Sequence, residues 1–150
     1  MTFYSFLLMV HVIAAVCGLG ASFAIPVITK MAKTTSQAKF TMSLIGKIEK
    51  LPKFGSITLL ITGLIMGVVN TELFKEIWFI SSLVIYVLVQ FIVAGILPKK
   101  IKQQAAVLEK ADSDELPAEY IEIGKQMGPY NGMVHAAAVI LLILMSVKPF

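Results

Sequence analysis

The chain has 150 residues, of which 57% are hydrophobic and only 15% charged, with a formal net charge of +4. Together with a mean hydropathy of +0.85, this excludes an ordinary soluble domain, in which about half the residues are apolar and a quarter charged. The length suits one domain, residues 1–150.

Four apolar segments follow one another at 3–28, 54–71, 77–97 and 130–147. Each is close to the ~20 residues that cross roughly 30 Å of hydrocarbon. They predict an all-α integral membrane protein, a four-helix up-down bundle with connecting loops at 30–53 and 98–127. The first segment does not read as a cleaved signal, because no basic residue precedes Lys30 and no small-x-small site ends the run. Its Cys17 is the single cysteine, so there is no disulfide framework, no CxxC and no CxxCH haem-attachment motif.

The loop 30–53 should be helical from Ser36 to Leu51, with Phe40, Leu44, Ile48 and Leu51 at helical spacing as its apolar stripe. Pro52 marks a kink or restart. Segment two carries Thr58, Thr62 and Gly63-x-x-x-Gly67, and a short outer connection, Glu72 to Glu76, makes segments two and three antiparallel neighbours. Segment three carries Ser82, Tyr86 and Gln90 at successive i+4 positions. After Pro98, a helix over Lys99 to Lys110, an acidic turn at Asp112 to Pro117 and a short helix stopping at Gly128-Pro129 lead into segment four. Segments one and four are adjacent if the bundle closes.

Every basic residue is lysine. Lys30, Lys33, Lys39, Lys47, Lys50 and Lys53 fall between segments one and two, and Lys99, Lys100, Lys102, Lys110 and Lys125 between three and four; the other side has only Lys75 and Lys148. This bias places both long loops in the cytoplasm and both termini outside, in a bacterial inner membrane. The lysine-rich face suits anionic lipid headgroups. Nucleic acid is not implied, since no aromatic residues interleave with the lysines.

The only two histidines lie inside membrane segments, in near-copies of one phrase, Met9-Val10-His11 and Met133-Val134-His135. An imidazole in hydrocarbon is costly unless something engages it, which makes each a functional-site candidate. His11 shares its helix face with Ala14, Ala15, Gly18 and Ser22; His135 shares its own with Gly128, Asn131, Val139, Leu142 and Ser146. Small and polar neighbours leave room for a bulky ligand, and haem b held non-covalently by one or two axial imidazoles fits best. The sequence predicts His11 and His135 as iron ligands, with Gly18, Tyr86, Gln90 and Asn131 lining the pocket. Counted from the outer ends, the two histidines differ in depth by about 6 Å. Zinc is disfavoured, since two histidines fall short of the usual three or four ligands. No carboxylate lies within any span, which argues against proton-coupled transport.

His11, Phe23 and Pro26, spaced H-x11-F-x2-P, resemble the first helix of the HemJ-type bacterial membrane protoporphyrinogen oxidases. The closing Val147-Lys148-Pro149-Phe150, and Asn131 where that family has an asparagine opening its last helix, are similar too. The resemblance implies a four-helix membrane fold and haem b bound through His11. The chain differs where the family has basic residues after the proline (here Val27-Ile28-Thr29), in Gly132 where the family has an acidic residue after the asparagine, and in having no arginine. It looks more like small bacterial four-pass proteins with an early histidine and a Lys-Pro ending. The function read from the sequence is haem-based electron transfer, haem handling or a redox step, with a redox partner or a homo-oligomer. The alternatives are a cofactor-free membrane scaffold or interaction protein and, behind it, a haem-dependent protoporphyrinogen oxidase.

Overall fold

The computed structural model describes residues 2–149, so Phe150 of the closing phrase lies outside it. The regular elements are all helical. Four runs are long and apolar enough to cross a membrane: Phe3–Met31, Thr35–Val69, Ile77–Glu109 and Ala118–Val147. The first is α1 (Phe3–Met31), opened by Thr2, whose side chain accepts from the Ser5 N–H. The second joins α2 (Thr35–Ile48) to α3 (Lys50–Val69) through one turn at Glu49. A short 3-10 helix, Thr71–Lys75, leads to α4 (Ile77–Gln90), which passes through a π-helical turn, Phe91–Ile96, into α5 (Leu97–Glu109). The last is α6 (Ala118–Val147), closed by Lys148 in the left-handed region at φ 46°.

Two expectations at the lysine-rich end are corrected. The helix expected to stop at Gly128-Pro129 does not stop: α6 runs through Pro129, just as α1 runs through Pro26. A proline inside a helix removes one hydrogen bond, and the apolar run beyond it has no other way to satisfy its backbone in hydrocarbon. At Pro98, where a new helix is expected and found, the transition is a wider turn: the Leu97 N–H bonds back to the Ile92 carbonyl, five residues away. The second correction is the face of α2. Its buried residues are Thr35, Ala38, Thr41 and Ile45, whereas Phe40 of the expected apolar stripe is 72% exposed. Small residues let α2 lie close against its neighbours, which a Phe-Leu-Ile face would hold apart.

The loops that sequence places outside the membrane thus form a helical cap with its own core of Ala32, Ala38, Leu108 and Tyr120, packed by Met42, Val107 and Leu116. A clasp closes it. Thr34 pairs with Glu115, the Thr35 N–H donates to the Asp114 carbonyl, and the Asp114 carboxylate accepts from the Ser36 N–H (3.0 Å) and hydroxyl (2.6 Å). Within the spans, by contrast, large apolar side chains such as Val16, Ile57, Val68, Leu88 and Ile143 are exposed. Lipid is as apolar as leucine, so burial against protein is not what organises them.

What organises them is close approach at small residues. α1 and α3 run antiparallel along their length, with His11 beside Thr62 and Gly18 against Gly55. A Cβ at Gly55 would lie 2.8 Å from the Ala14 carbonyl oxygen and from Gly18 Cα and N, so only glycine allows this crossing. α4 and α5 pack on α6, while α1 meets α6 only over a short stretch. The spans therefore form two close-packed sets, α1/α3 and α4–α6, with a looser seam between them. Tyr86 and Gln90 of α4 reach across that seam to Ser56 of α3.

Candidate functional site

His11 is buried on the α3-facing stripe of α1, with Leu7, Ala14 and Gly18. Its Nδ1 lies 2.7 Å from Thr62 Oγ1. Thr62 Oγ1 in turn donates its proton to the Thr58 carbonyl at 2.7 Å. A hydroxyl has one proton, so Nδ1 must be the donor to Thr62, and the imidazole is fixed with its proton on Nδ1. Nε2 is left with a free lone pair and has no hydrogen-bond partner among the described residues. Gly63 lies beside the ring, where a Cβ would sit 3.5 Å from Cε1. In metal-binding histidines a second-shell bond likewise holds one ring nitrogen as donor and leaves the other as the candidate ligand.

His135 sits elsewhere. Its ring stacks on Phe23 with centroids 4.4 Å apart, and Nε2 faces the Ser22 carbonyl at 3.4 Å. It belongs to a cleft in the seam, also lined by Gly18, Ser22, Ser56, Tyr86 and Gln90, of about 60 Å³. The opposite wall is a hydrogen-bonded knot in which Tyr86 Oη donates to the Ser56 carbonyl, and Ser56 Oγ bonds Tyr86 Oη (2.7 Å) and accepts from Gln90 Nε2 (3.0 Å).

Four of the six expected pocket residues, Gly18, Tyr86, Gln90 and His135, therefore meet around one cleft. His11 and Asn131 are not among the side chains that line it. A shared iron between His11 and His135 is corrected by this geometry: His135 lies against Ser22, eleven residues along α1 from His11, roughly 17 Å at 1.5 Å per residue. The sequence estimate of about 6 Å assumed outer ends at one level. Instead Lys148, just past α6, sits over Trp78, and the neighbouring Phe79 packs at Gly67. This sets the Lys148 end of α6 about a turn along α1 from Phe3, so the two helices are offset along their length.

Ser56 was not legible as a site residue, because a serine in an apolar run gives no hint of a tyrosine thirty positions on. His11 has the donor chemistry of one axial imidazole, but it is buried and the cleft at His135 does not extend to it. The cleft does not fit a macrocycle, since ~300 Å³ is the lower range for small-molecule pockets. No group of three or more His, Cys, Asp or Glu side chains suited to a metal occurs among the described residues.

Comparison with known proteins places this geometry in a family. The chain belongs to the family described as "Predicted integral membrane protein (DUF2269)", whose model matches residues 5–149. No match is found among curated proteins or among solved structures.

Proposed function

We propose that this integral membrane protein binds haem b through a single axial ligand, His11 Nε2. The observation that carries the reading is the Thr58–Thr62–His11 chain, which fixes the ring proton on Nδ1 and frees Nε2. The H-x11-F-x2-P resemblance points to the same histidine. Bound there, haem would supply one-electron chemistry for electron transfer, haem handling or a redox step. Porphyrinogen oxidation is the narrower version of that role. His135, Tyr86, Gln90 and Gly18 are assigned to the cleft and not to the iron. The bundle sits in the bacterial inner membrane in up-down order, with its lysine-rich cap in the cytoplasm and both termini outside.

An absorption spectrum of protein purified in detergent, before and after added haemin, tests the reading. A Soret band lost in His11→Ala and kept in His135→Ala is the expected outcome. Protein that stays colourless with haemin overturns it. The competing reading, a cofactor-free scaffold, draws on the Ser56–Tyr86–Gln90 knot, whose hydrogen bonds hold the two helix sets together without any ligand. It predicts that His11→Gln leaves the spectrum and thermal stability unchanged.

A further inference from the structure

We propose that the cleft around His135 is a water site inside the membrane, separate from His11 and independent of whether His11 binds haem. Three features of the cleft point to water.

The first is size. A cavity of about 60 Å³ has room for roughly two to four waters at 15 to 30 Å³ each, and for no larger polar ligand. The second is chemistry. A carbonyl only accepts, so the proton facing Ser22 is on His135 Nε2, and Nδ1 is an acceptor. Gln90 directs its Nε2 to Ser56, which leaves Oε1 as a second acceptor. Neither atom has a hydrogen-bond partner among the described residues. Water brings two donors and can serve both walls; a ligand offering only acceptors cannot.

The third is the backbone. Two helices are irregular beside the cleft. Pro52, which lines it, has no N–H for the carbonyl four residues earlier. Val93, also in the lining, belongs to the π-helical turn Phe91–Ile96, and Pro98 just beyond it has no N–H to offer a carbonyl of that turn. A backbone carbonyl that has no in-helix donor needs another protein group or water as its partner. The cleft collects two such irregularities together with two unpaired side-chain acceptors.

Because the chain has two histidines, solid-state NMR of bilayer-reconstituted protein labelled with 15N-histidine reads the site directly, with His135→Asn assigning the signals. Magnetisation transfer from water should reach the His135 ring several-fold faster than the His11 ring. Filling the cleft with Ala138→Leu should slow transfer to His135 and leave His11 unchanged. If Ala138→Leu disturbs the His11 signal and so the fold, Gln90→Leu, which removes the acceptor without adding bulk, carries the comparison. Equal, slow transfer to both rings overturns the proposal, as do a lipid-chain contact at His135 in place of water and a transfer rate that neither variant alters.

Discussion

Thr62 gives its one proton to the Thr58 carbonyl, and for that reason it can only accept from His11. Valine at this position keeps the shape and removes the acceptor, leaving His11 Nδ1–H unpaired in an apolar interface. Under the haem reading, Thr62→Val should weaken haemin binding roughly 10- to 100-fold, the usual loss for a second-shell partner. Thr62→Ser should restore most of it. A haemin titration followed at the Soret band checks both, and equal affinity in all three proteins would remove Thr62 from the site. A second residue-scale test concerns Asp114, fully exposed, whose carboxyl is held below the usual carboxylate range by the Ser36 hydroxyl and then the Ser36 N–H. The charged form is thus favoured in the folded clasp. Its contribution is present above the ordinary carboxylate value of about 3.9 and is lost as pH falls through the lower folded value. Hydrogen exchange at the Ser36 amide should accordingly be no less protected at pH 5 than at pH 8, after correction for intrinsic rate. Asp114→Ala should remove that protection at both.

At the scale of elements, the α1–α3 pair rests on one glycine contact. The atoms that a Cβ at Gly55 would meet at 2.8 Å are backbone, which cannot swing aside. Gly55→Ala should therefore push the helices apart and cost about 1–3 kcal/mol. Gly20→Ala, with open space around its position, should be neutral or stabilising by up to ~1 kcal/mol through helix propensity. Thermal unfolding in detergent separates the two, and equal effects would mean the crossing is not close. This contrast shows where the sequence was informative. The spacing of Gly18 and His11 on one face was legible from helical periodicity, and so were four apolar spans. Which helix that face meets was not, because Gly55 and Ser56 look like any small residues in an apolar run. The depth of each histidine failed for a related reason: counting from segment ends ignores how far one helix slides along another. Pro129 misled differently, since hydrocarbon forces the backbone to stay helical through it.

Over the whole molecule, the fold separates charges that the sequence interleaves. Lys50 and Lys53 open α3, and Lys99, Lys100 and Lys102 open α5, all where the apolar spans meet the cap. Of the acids near that level, Glu49 is paired with Lys53 at 2.9 Å. Asp112, Asp114, Glu115 and Glu119 cluster instead at the far end, around the connection from α5 to α6. The twelve-residue rise of α5 from Leu97 to Glu109 puts roughly 18 Å between the two groups. That is about two Debye lengths at physiological salt, so this acidic cluster cancels little of the field of the α5 lysines at a bilayer surface, although Glu122, which shares Gln126 with Lys100, lies nearer. Each lysine near an anionic surface is worth about 1 kcal/mol. The protein should therefore melt higher in nanodiscs containing an anionic phospholipid than in zwitterionic ones, and high salt should erase the difference. Replacing Lys99, Lys100 and Lys102 together by glutamine should remove a large part of it, while replacing Lys33 and Lys39, on the cap beyond the bilayer edge, should remove little. If the two lysine sets prove equivalent, the attraction reflects net charge alone, and the separation built by the cap has no part in it.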